Sequence, residues 1–233
     1  MRPAAVGMEQ TRFWTNLESG ETWWYSHMPA KSARGCGTRA KRYRSTHFWV
    51  VSAGRSRLLF DLGWPGSMGL MRSNLARMGI PLGEIRYGLA SHYHIDHAGL
   101  AEELKRLGVP LLVLETQRAA IPGMKQFTKP HDHFTDIGLD DNVDLTFAGS
   151  RALLASIGLA GQILPTPGHS DDSVSLVLDD GSAFTGDLTL EGMAYGPEAE
   201  TVAASWRRLR EAGAKTIYPG HGPVYPLAPA SAG

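Results

Sequence analysis

The stretch "SHYHIDHAG", residues 91 to 99, gathers three imidazoles and a carboxylate, His92, His94, Asp96 and His97, within six positions. Neutral imidazole is a good ligand for zinc, iron or nickel, and a carboxylate adds a hard oxygen donor. If the apolar run before it is a buried strand, His92 and His94 point to one side, because side chains alternate with period two. Asp96 and His97 then fall in the turn and at the first positions of the next helix, so the four side chains converge. Gly99 leaves room for that helix start to pack closely. Taken singly, each residue is equally well explained as a surface side chain at a strand end. Yet five of the nine histidines stand at glycine-bounded ends of apolar runs: this cluster, His169 in "PTPGHS" and His221 in "YPGHGP". A carboxylate, Asp187, stands at a fourth such end, "FTGDL". Four polar ends of one kind point to a metal centre.

The elements that must position these residues follow from the pattern around them. "HFWVVSAGRSRLLFDLG" predicts two strands and a tight turn at Gly54. Residues 67 to 78 predict a helix stopped by Gly79 and Pro81. "IRYGLASH" predicts a buried strand ending at the motif, "AGLAEELKRLG" a helix, and "VPLLVLE" the next strand. Further on, "VDLTFAG" predicts a strand and "SRALLASIG" a short helix. "GQILPTPGH", "SVSLVLDDG" and "SAFTGD" predict three strands, residues 198 to 212 an amphipathic helix, and "KTIYPGHG" a final strand. Strands alternate with helices in part and form hairpins elsewhere, which implies mixed sheets covered by helices. Residues 122 to 138 lack periodicity and read as a long loop of the kind that walls binding sites.

Composition narrows the class. The formal net charge is zero over 233 residues, so no global field favours nucleic acid or an acidic membrane. The single Cys36 cannot form an internal disulfide, which fits a reducing compartment. No run approaches the roughly 20 apolar residues that span a bilayer, and the start lacks a secretory core. A cytoplasmic protein with no membrane or nucleic-acid partner is expected; a homodimer is compatible with this. Residues 1 to 46 are unusual, with eight basic residues against three acidic ones and with Trp14, Trp23, Trp24 and Tyr25 interleaved. They read as an arm whose aromatics pack on the main body. The expected division is this arm, a main domain over residues 47 to 226, and a tail over 227 to 233.

The ordered set His92-x-His94-x-Asp96-His97, then His169, Asp187 and His221, resembles the metallo-β-lactamase-fold hydrolase superfamily. Asp61 and Gly63 in "FDLGWPG" match an Asp-x-Gly element of that family. The resemblance implies an α/β fold, a four-layered αβ/βα sandwich of two mixed β-sheets flanked by helices, with the site at one edge. It implies two divalent metal ions, zinc first, with iron or manganese as alternatives. His92, His94 and His169 would hold one, Asp96, His97 and His221 the other, and Asp187 would bridge them. Asp96 would also be the catalytic residue that orients a shared hydroxide, and Asp61 would hold a ligand histidine's free N–H.

The acidic residue at position 187 is more similar to the glyoxalase II, lactonase and phosphodiesterase branches than to lactamases that use cysteine there. Leu190 stands where quorum-quenching lactonases carry tyrosine, and Tyr195 follows later. Only twelve residues follow His221, where glyoxalase II adds a glutathione-binding domain. The resemblance thus implies a dinuclear hydrolase of a small ester, thioester or lactone. The alternatives are a phosphodiesterase or nuclease of the same fold, or an iron-dependent sulfur-oxidising relative. Tyr93, Trp23, Trp24, His131, His133 and Tyr195 are candidates for the substrate pocket, and Asp171 and Asp172 are expected to cap the turn after His169.

Overall fold

The computed structural model describes residues 12–15, 22–25 and 46–228. The packing expected of the basic arm, Cys36, and the side chains of Trp23 and Trp24 lie outside the described residues. So do the last five residues of the tail.

Strands β1 (Arg12–Thr15) and β2 (Thr22–Tyr25) form an antiparallel pair, which the sequence pattern does not predict, and β1 runs beside β3 (Trp49–Ala53). The first large sheet has the order β3, β4 (Ser56–Phe60), β5 (Ile85–Leu89), β6 (Leu111–Leu114), β7 (Val143–Leu145). The second contains β8 (Gly161–Pro165), β9 (Val174–Leu178), β10 (Ser182–Gly186), β11 (Thr216–Pro219) and a two-residue β12 (Tyr225–Pro226). Its order is β12-β11-β10-β9-β8. The helices are α1 (Met68–Arg77), α2 (Ile95–Ala98), α3 (Ala101–Arg106), α4 (Phe147–Ser156) and α5 (Glu198–Glu211).

Four layers result from period-two alternation in strands that are apolar on both faces. In β6, Leu111 and Val113 face α1 and α3, while Leu112 and Leu114 face the other sheet. In β9, Leu176 and Leu178 face inward and Val177 packs under α5 with Val202, Trp206 and Leu209. Between the sheets Trp49 meets Phe184 and Tyr218 edge-on at 5.9 and 5.3 Å, and Phe184 stacks on Tyr218 at 4.8 Å. This is the expected sandwich of two mixed sheets flanked by helices.

Three local readings are corrected. β5 ends at Leu89, so His92 and His94 stand in an irregular loop, not in a strand. Their convergence therefore does not come from strand alternation. Helix α4 begins at Phe147, earlier than predicted, because the Thr146 hydroxyl caps it by accepting from the Gly149 N–H at 3.1 Å. β11 is not the final strand, since β12 pairs with it.

Strand direction is what positions the site. β4 and β5 run parallel, as do β10 and β11. β8 is antiparallel to β9 and β9 to β10, so β8 runs with β10. The carboxyl ends of these strands reach one edge of the sandwich, and Asp61, the His92–His97 loop, His169, Asp187 and His221 follow directly after them.

Candidate metal centre

Two groups of side chains meet at this edge. His92, His94 and His169 form one, and Asp96, His97, Asp187 and His221 the other; in each, one ligand atom per residue lies within 4.8 Å of the rest. Asp187 stands between them. Its Oδ2 is 3.2 Å from His97 Nε2, 3.3 Å from His221 Nε2 and 3.8 Å from His169 Nε2. His169 Nε2 and His94 Nδ1 are 3.0 Å apart, and His221 Nε2 lies 3.3 Å from Asp96 Oδ2.

The loop that carries the first motif is held from several sides. Asp61 accepts from the Ser91 N–H through Oδ1 at 2.7 Å and contacts His97 Nδ1 through Oδ2 at 3.0 Å. Asp61 has a left-handed backbone, φ 64°, unusual for a residue with a Cβ and of a kind concentrated at functional sites. The buried Gln117 amide donates to the Ala90 carbonyl at 2.9 Å. The Val174 N–H donates to Ser91 O, which ties the loop to the second sheet. Asp172 does not cap its own turn as predicted. The carboxylate is buried and accepts from the Tyr93 N–H at 2.7 Å, while Ser170 and Ser173 bond to each other across that turn. Asp172 thereby joins the loop of His169 to the backbone between His92 and His94.

Two glycines are required by close approach. A Cβ on Gly220 would lie 2.5 Å from Asp187 Oδ1 and 2.7 Å from His97 Cε1; one on Gly99 would lie 2.3 Å from the Pro65 ring. The predicted role of Gly99 in helix packing agrees with this contact.

Charge is concentrated here. Burial pushes the Asp96 carboxyl upward, but hydrogen bonding from His221 and His97 and the His97 charge hold it well below the usual carboxylate range. Asp187 is held low in the same way. Burial drives His92 well below its ordinary value, helped by His97 and His94, so it stays neutral, the ligating form. Burial also lowers His97, but the carboxylates of Asp61, Asp187 and Asp96 more than reverse this and favour a positive charge. A proton on His97 and a metal cation answer the same gathering of carboxylates.

The donor atoms themselves fit a cation. His92 Nε2 and Asp187 Oδ1 are buried without a hydrogen-bond partner, and His97 Nε2 faces only the carboxylates of Asp187 and Asp96, at 3.2 and 3.4 Å. Each such atom costs about 1–3 kcal/mol if left so, and lone pairs converging from imidazole and carboxylate are satisfied together by a divalent ion.

Several contributors are invisible to local pattern. Thr46 Oγ1 donates to Asp96 Oδ2 at 2.8 Å from fifty residues away in the chain. Asp172, read as a turn cap, had a visible signal in its doubled acid but no visible partner. Beside the cluster opens a cavity of about 640 Å³ that shares His169, Asp187 and His221 with it. Its other walls include Leu188, Leu190, Pro219, Pro223 and Tyr225. The pocket candidates fare differently. Tyr93 is buried in the core under α1 and α3, so it cannot meet a substrate. His131 and His133 are exposed around the short 3-10 turn Pro130–Asp132, Tyr195 is exposed, and none of the three lines this cavity.

A family model described as the metallo-beta-lactamase superfamily matches residues 42–221. The chain belongs to this superfamily. Among curated members it is 27% identical over 188 residues to a beta-lactamase-like protein 2 homolog of Caenorhabditis elegans, covering 78% of this chain and 57% of that one. It is 29% identical over 188 residues to an atrochrysone carboxyl ACP thioesterase of Aspergillus fumigatus, covering 78% and 38%. The chain thus spans about half the length or less of several curated relatives it matches. Among solved superfamily folds, a metallo-beta-lactamase family protein of Thermus thermophilus superposes with a TM-score of 0.62 at 20% identity, over 78% of this chain and 70% of that one. TTHA1623, solved in a di-iron-bound form, superposes at 0.60 and 24% identity, over 78% and 89%. No helix among the described residues is long and apolar enough to cross a membrane.

Proposed function

We propose that this superfamily member is a metal-dependent hydrolase of a small ester, thioester or lactone, with two divalent ions at the cluster. The observation that carries the reading is the pair of adjoining ligand groups with Asp187 between them. His92, His94 and His169 would hold one ion, Asp96, His97 and His221 the other, and Asp187 would contact both. Zinc, iron and manganese all suit such donors. When bound, such ions bring the pKa of water toward neutrality and polarise a carbonyl oxygen.

The chain's own residues set the rest. Asp96, ionised and steadied by Thr46, accepts a hydrogen bond from the attacking water and orients it. Asp61 fixes which ring nitrogen of His97 faces the cluster. Water adds to the carbonyl carbon, the C–O or C–S bond breaks, and the leaving group departs with a proton. Thioesters are favoured within the class by the likeness to an ACP thioesterase.

The test is elemental analysis of freshly purified protein together with hydrolysis of thioester, lactone and phosphodiester probes. Near two ions per chain and cleavage of the acyl substrates are expected. Absence of metal with no stabilisation by added zinc or manganese would overturn the reading.

A further inference from the structure

We propose that the cavity beside the cluster is an acyl-binding chamber, and that the natural substrate carries a bulky apolar acyl group rather than a short one. This rests on the hydrolase reading above and names its substrate class.

The chamber measures about 640 Å³, which is the size of a site for a drug-sized molecule and far larger than an acetyl group needs. It begins at His169, Asp187 and His221, so a chain lying in it has its carbonyl end at the cluster. Away from them its lining is mostly apolar, with Leu188, Leu190, Pro223 and Tyr225 beside the two hydroxyl residues Thr185 and Thr189. Among the described residues that line it there is no lysine or arginine. The apolar portion of the substrate is what these walls accept. Leu190 lines the chamber and is still 49% exposed, and Met193, 60% exposed, follows it on the same segment. Leu190 thus stands both on the chamber wall and at its mouth.

The wall is braced from behind. Trp206 Nε1 donates to the Thr189 carbonyl at 2.9 Å, and Thr189 Oγ1 donates to the Gly168 carbonyl at 3.3 Å. Arg210 donates to both carboxylate oxygens of Glu191. The segment after Asp187 is thus fixed to α5 and to the His169 loop, which keeps the chamber's mouth in register with the cluster.

Two measurements on the metal-loaded protein test this. The first is kcat/KM for acyl-N-acetylcysteamine thioesters from acetyl to decanoyl, beside a series of acetate esters with lengthening alcohols. Each methylene buried is worth about three- to four-fold, so octanoyl should exceed acetyl by at least about ten-fold even with partial burial. The alcohol series should stay nearly flat. The second is calorimetric binding of octanoate against acetate, which needs no turnover. Octanoate should bind at least about ten-fold tighter, Leu190→Glu should erase most of that difference, and Leu190→Met should keep it. Equal rates across acyl lengths with equal binding of the two acids overturns the chamber and leaves the hydrolase reading standing. A rise confined to the alcohol series also overturns it, because the chamber would then take the leaving group. Selective octanoate binding without hydrolysis of any probe keeps the chamber and removes the hydrolase reading.

Discussion

The floor of the site and its wall are built on opposite principles. The floor, from Asp61 to the His92–His97 loop, is buried and tied by polar contacts from Asp61, Gln117, Asp172 and Thr46. The wall, from Leu188 to Pro197, is held mainly through Trp206 and Arg210 and leaves Leu190, Met193 and Tyr195 in water. A ligand cluster tolerates little displacement, because its charges repel one another unless each donor keeps its direction. An apolar wall needs only shape, and shape can change without unseating the chemistry. On the proposed function, this difference assigns reactivity to the floor and selectivity to the wall.

The sharpest way to break this division is to remove the metal. Exhaustive dialysis against a chelator should abolish hydrolysis and lower the melting temperature, with both restored by added zinc or manganese. At a thousand-fold excess over Kd the loaded form is stabilised by about 4 kcal/mol. An unchanged melting curve measured by calorimetry would contradict a metal-dependent floor.

Asp61→Ala comes next. It leaves the Ser91 N–H and His97 Nδ1 without their partner in a fully buried place. Metal affinity should fall about 10–100-fold in a competition titration with a chromogenic chelator. Chain-length preference among surviving turnovers should be retained, since the wall is untouched.

Asp172→Ala tests whether the two loops of the floor act together. Freeing the buried Tyr93 N–H should cost about 1–3 kcal/mol of stability, read from urea unfolding. It should also weaken metal binding, and Asp172→Asn, which keeps an acceptor, should recover most of both. A stability loss with unaltered metal affinity would make Asp172 a brace of the fold alone.

Glu191→Gln is the mildest. It weakens a partly exposed ion pair with Arg210, worth less than about 1 kcal/mol. The melting temperature should barely move, while the octanoyl-to-acetyl ratio should drop measurably as the wall loosens. A large fall in metal content would show that wall and floor are not separable.

Much of the fold was legible because its signals are local. Buried strands read as apolar runs bounded by glycine, and α5 as an amphipathic stretch, since side-chain periodicity depends only on near neighbours. The pattern missed β1 and β2, and it placed His92 and His94 in a strand when β5 stops at Leu89. The apolar run continues through Ala90, and nothing in the run itself marks where pairing with β6 ends.

By itself the sequence determined the donor chemistry: which imidazoles and carboxylates stand at the ends of apolar runs, and in what order. Only the tertiary structure decided how they meet. Strand direction gathers five chain segments at one edge, which no local window contains. Asp172 was read as a turn cap because its partner, the Tyr93 N–H, lies 79 residues away. Thr46 has no motif at all, and its contact with Asp96 exists only once β3 is in the sheet. The chamber is likewise a product of packing, its walls taken from the segment after β10 and from the turn between β11 and β12. Ligand type is a property of a residue, whereas convergence and cavity shape belong to surfaces brought together across the chain.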